Sequence, residues 1–146
     1  MKLIFFFLAA LLSGGATAQQ WNLADTAYDA AVEAREIYVE GGNEAMVRAI
    51  KVCHAQITVK TAFNMATARC LTMDFAGTLM AGRMAEETGV NDIPSYYTEG
   101  GAYIGRNTPY LMFVPQEQLD PIMLTIKQNI IDAIPAVESL LIPTVD

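Results

Sequence analysis

A chain of 146 residues that is 53% hydrophobic has the apolar content for one buried core, and its sixteen acidic against nine basic residues give a net charge of −7. That sign of charge opposes binding to nucleic acid or to an anionic membrane surface. Two cysteines without a Cys-x-x-Cys spacing and a single histidine leave little material for a metal site, and no nucleotide-binding motif is present.

Met1-Lys2, an unbroken apolar run from Leu3 to Leu12 and the small-residue stretch Ser13-Gly14-Gly15-Ala16-Thr17-Ala18 have the form of a secretory signal peptide cut after Ala18. The apolar run is shorter than the ~20 residues that span a bilayer. The reading is a cleaved segment 1–18 followed by a single soluble domain, 19–146, of net charge −8 once Lys2 is removed. Its expected location is periplasmic or secreted.

The domain reads as mainly α. A first helix is expected from about Asp25 to Glu40, with Asp25, Asp29, Glu33, Glu36 and Glu40 on one side and Ala24, Ala27, Tyr28, Ala31, Val32 and Tyr38 on the other. Gly41-Gly42 ends it, and Asn43 is placed as the cap of a second helix. There Met46, Ile50, Cys53 and Ile57 recur at spacings of four, three and four, a buried seam, while Glu44, Arg48 and Lys51 face water. A third helix over Ala66–Thr88 carries apolar residues on two sides, Leu71, Phe75 and Leu79 on one and Cys70, Met73, Gly77, Met80, Ala81 and Met84 on another, which predicts a central position. Gly77, Ala81, Gly82 and Ala85 are small enough for neighbouring helices to approach closely, and Gly89 supplies the stop.

Cys53 and Cys70 are the only cysteines, and in an oxidising compartment they are expected to pair. One continuous helix would hold them roughly 25 Å apart, far beyond disulfide reach. The chain must therefore reverse between them, within Thr58–Asn64, where β-branched and aromatic residues weaken helix propensity.

From Val90 to Pro115 the helical period fades and the composition turns to Gly, Pro, Asn and Tyr. Tyr96, Tyr97, Tyr103, Arg106 and Tyr110 gather there, residue types favoured where proteins bind other molecules. Two readings stand side by side: a binding loop, or a packed loop or short β-hairpin that pairs Tyr103-Ile104 with Leu111–Val114 and covers the helices. A last helix follows, with Asp120 as cap, Pro121 in the first turn and Ile122, Met123, Ile126, Ile130, Ile131 and Ile134 on its buried face. Pro135 interrupts it, a short helix or turn runs through Ala136–Leu141, and residues 144–146 form a tail.

Two charges fall on apolar helix faces, Arg35 in the first helix and Asp74 in the third. Either one or both of these helix sides are exposed, or, because an unpaired buried charge is costly, each charge meets an interior partner, the other or another polar group.

Catalytic readings are thinner. The only serines beyond residue 18 are Ser95 and Ser139, and neither sits in a nucleophile elbow. Glu86, Glu87, Asp92 and Glu99 leave open a carboxylate-based hydrolase acting on the cell envelope. Met73, Met80 and Met84 share a helical face that could carry sulfur ligands to a metal or haem, against which core filling is the simpler account. The sequence thus supports a small disulfide-linked bundle of about four helices, needing no cofactor or metal and binding another protein or a small ligand, as an inhibitor, immunity factor or envelope accessory protein would.

Overall fold

The computed structural model describes residues 21–57, 62–90, 93–99 and 102–134. The expected signal segment, Thr58–Thr61 of the reversal and everything from Pro135 onward lie outside the described residues.

Five helices follow in chain order: α1 (Leu23–Gln56), α2 (Met65–Thr88), α3 (Ser95–Thr98), α4 (Ala102–Leu111) and α5 (Gln116–Ala133). Asn22 caps α1 by accepting a hydrogen bond from the Ala24 amide at 2.9 Å. The helix is broken at Gly42, whose φ of 61° and ψ of −158° belong to a region that side chains bearing a Cβ avoid. The two arms turn back alongside each other there. Arg69 touches both Glu33 of the first arm and Cys53 of the second, residues that a straight helix would separate by roughly 30 Å. The expected break is therefore present, but Asn43 does not cap the second arm: its Oδ1 is buried and accepts no hydrogen bond.

The second arm buries its predicted seam, with Met46 and Ile50 fully enclosed and Cys53 and Ile57 nearly so. The chain then reverses, and Asn64 opens α2 with a capping box in which Asn64 and Thr67 each bind the other's backbone amide. Cys53 and Cys70 are joined, their Cα atoms 5.6 Å apart, within a hairpin of helices. Gly89, at φ 67°, ends α2 with its amide on the Ala85 carbonyl.

α2 is central, packing against α1, α4 and α5, while α1 also packs against α5. The two arms of α1 with α2 and α5 make the four-helix arrangement, and α3 and α4 lie as a short cap beside α2. Tyr28 departs from the expected inner face at 44% exposed, as does Ile131 at 37%. Of the small residues on α2, Gly77 is the one that admits neighbours: a Cβ there would meet Tyr97 Oη at 2.9 Å, Met46 Cγ at 3.0 Å and Ile50 Cδ1 at 3.1 Å. Gly82 faces open space.

The segment read as a loop or β-hairpin is helical instead, and no strand occurs among the described residues. Tyr103, Arg106, Asn107 and Tyr110 fall on one helical face toward the bundle, so tertiary contacts outweigh the local cost of Gly105 and Pro109. α5 also begins earlier than expected. Pro115, rather than Asp120, stands at its N-cap, Glu117 meets the positive end of the helix, and Pro121 lies within, on the exposed side.

The two helical glycines should respond oppositely to a methyl group. Gly77→Ala is expected to destabilise by about 1–3 kcal/mol through overpacking. Gly82→Ala should stabilise by about 0.5–1 kcal/mol through helix propensity. Urea unfolding midpoints of the two variants should move in opposite directions from the parent.

Candidate functional site

Asp74 on α2, 0% exposed, is the one carboxylate among the described buried residues. Burial alone would push its carboxyl up, but hydrogen bonding from His54, Arg106 and Asn107, with the Arg106 charge, holds it below the usual carboxylate range. Arg106 supplies a fork, Nη2 to Oδ1 at 2.6 Å and Nε to Oδ2 at 2.9 Å. Asn107 Nδ2 donates to Oδ2 at 2.9 Å and also to the Tyr103 carbonyl. His54 Nε2 stands 3.5 Å from Oδ2. With that nitrogen protonated, Nδ1 accepts from the Tyr110 hydroxyl at 3.1 Å, and the two rings stack.

The guanidinium lies 3.8 Å over the Tyr96 ring and donates to the Tyr96 carbonyl, tying α3 to α4. Tyr97 and Tyr110 are buried, and Tyr96 and Tyr103 half-buried. Burial and the nearby Asp74 charge push the phenols up, Tyr96 to about 12 and Tyr97 and Tyr103 further. Arg106 lies over Tyr96, Tyr96 and Tyr97 meet edge to face, and all five residues singled out in this segment are buried or half-buried. Asp74 takes its guanidinium from Arg106, not from Arg35. Asn107 and His54 complete the cluster. Asn107 was legible only as the i+4 neighbour of Tyr103, a helical spacing hidden because the inward face is polar rather than aliphatic.

Glu86, Glu87 and Glu99 are exposed, and Asp92 lies outside the described residues. Met73 and Met80 fill the core, Met84 is half-buried, and no group of three His, Cys, Asp or Glu side chains among the described residues could hold a metal ion.

Open space lies along the first arm of α1. One cavity of about 710 Å³ is bounded by Trp21, Asp25, Asp29, Asn64 and Met65 among others. A second, of about 380 Å³, shares Thr26, Asp29, Met65 and Ala66 with it and continues to Glu33, Ile57, Arg69 and the disulfide. Together they form a trough between that arm and the start of α2. Asp25, Asp29 and Glu33 stand on successive turns along one wall. Apolar surface faces them, including Met65 at 55% exposed. Arg69 Nη2 binds both oxygens of Glu33, so the described charges along the trough leave a surplus of negative charge.

Comparison with protein-family models, curated proteins and solved structures finds no match to this chain.

Alanine at Asp74 or Arg106 strands a buried charge or its partners and is expected to cost about 3–5 kcal/mol. A double-mutant cycle should show strong coupling between them. Because the folded carboxyl titrates below its unfolded value, its contribution is full above about pH 4 and is lost as pH falls through the lower folded value. Urea midpoints measured from pH 6 to pH 2 should fall over that window, with a shallower acid slope in Asp74→Asn.

Proposed function

We propose that the protein is a small exported binding protein, non-catalytic, whose trough takes a cationic partner segment bearing apolar side chains. The observation that carries this reading is the continuity of the two cavities beneath one row of carboxylates. Asp25 and Asp29 offer acceptors about 6 Å apart along the helix axis, a spacing that cationic side chains of a partner can follow, while Glu33 beyond them is paired with Arg69. Trp21, Met65 and Ile57 supply apolar contact beside them. Such a site, concave and mostly apolar with a few placed charges, is the usual form of a ligand pocket.

The charge network at Asp74 supports a binding rather than a catalytic role, because both carboxylate oxygens are already occupied by Arg106 and Asn107. Export is supported by the signal-like segment 1–18 and by the closed disulfide.

Titration calorimetry with a lysine–leucine model peptide and its glutamate–leucine counterpart tests the proposal. The lysine peptide should bind and weaken with added salt, and Asp25→Asn with Asp29→Asn should lower its affinity by about three- to tenfold, the range of two half-exposed ion pairs. Equal affinity for the two peptides, or no change in the double variant, would overturn it.

A further inference from the structure

Trp21 borders two open spaces, the larger cavity of the trough and a further one of about 460 Å³. This pit lies where three connections of the chain meet: the entry to α1 at Trp21, the turn into α2 at Phe63, and the α4–α5 turn at Phe113 and Pro115, with Ile122 of α5 beside them. Its chemistry differs from that of the trough. None of the described residues lining it is charged, and the Gln118 amide and the Trp21 indole N–H are their polar side-chain groups. Trp21 and Phe63 already meet in a tilted pair, 6.1 Å between ring centroids and 58° between planes. Phe113 supplies a third ring, 49% exposed, and Trp21 is 36% exposed, so the rings are open to contact from outside. Contiguous apolar surface left open on a folded protein marks an interaction site, and rings so placed offer faces and edges to one more ring.

We infer that the pit is an anchor pocket for the partner that lies in the trough, taking one aromatic side chain at an end of that partner's cationic stretch. The inference rests on the trough reading and adds to it the sequence character of the partner. Continuity carries it: Trp21 is a wall of both spaces, and Asp25 and Asp29 line the larger cavity together with Trp21, so a chain whose cations meet these carboxylates runs on to the pit. The neighbours also select the side chain. A cationic group would find no carboxylate among the described residues of the pit, and an acidic one would have Asp25 and Asp29 beside its path. An aliphatic side chain would bury less area than a ring and gain nothing from the faces and edges of Trp21, Phe63 and Phe113.

The test uses a lysine–leucine peptide with alanine at both ends and three versions of it, carrying one phenylalanine at the first, the last or a central position. In titration calorimetry, phenylalanine at one of the two ends should tighten binding about five- to tenfold, and at the centre should leave it unchanged. Phe113→Ser, a change at a half-exposed side chain in a turn, should abolish the terminal gain and leave the alanine-ended peptide binding as before. Trp21 is the only tryptophan, so its emission supplies a readout that needs no variant. It should move further to the blue with the better phenylalanine peptide than with the alanine-ended one, because the incoming ring excludes water from the indole. No terminal gain, an equal gain at the centre, a gain that survives Phe113→Ser, or no further emission shift overturns the inference while the trough reading stands. If none of the lysine peptides binds, both fall.

Discussion

Asp74 is a full negative charge inside a helical bundle, and the arrangement of α3 and α4 follows from keeping it satisfied. A carboxylate with no solvent exposure is tolerable only if donors surround it. The donors come from two helices: His54 near the end of α1, and Arg106 and Asn107 on α4. Arg106 in turn binds the Tyr96 ring and carbonyl. One side chain on the central helix thereby fixes a region whose own composition, with Gly105 and Pro109, would not sustain a helix in isolation.

The same region shows where sequence reading stops. Aliphatic periodicity located the seam Met46–Ile50–Cys53–Ile57 and the extent of α2, because an apolar stripe at helical spacing marks the buried side of a helix, and the reach of a Cys53–Cys70 disulfide located the reversal between them. α4 has its stripe too, at Tyr103, Arg106, Asn107 and Tyr110, but a stripe of aromatic and polar residues resembles a loop until its buried counter-charge is known. The misplaced charge at Asp74 was visible; its partner was not, since Arg35 and Arg106 both satisfy the charge requirement and only the three-dimensional path of the chain selects between them. The start of α5 escaped for a different reason: Pro121 suits a first turn and is also accepted on an exposed side of a helix already under way.

The candidate trough was not legible at all. Its acidic wall reads from sequence as the solvated face of an amphipathic helix, and its other wall comes from Ile57, Asn64 and the first residues of α2. Only the folding back of α1 at Gly42 brings Glu33 beside Cys53 and closes the end of the cleft. A single residue at φ 61° thus converts an ordinary charged helix face into one side of a concave surface.

The position of the disulfide within the chain has a consequence for the order of assembly. Its two cysteines lie only 17 residues apart and belong to one hairpin, so they can pair before α4 has packed. At that stage Asp74 is in place while Arg106, 32 residues later, is not. A hairpin crosslinked in that order has His54 beside Asp74 but lacks the guanidinium, so the central face of α2 can lose its water only once α4 brings Arg106 to it.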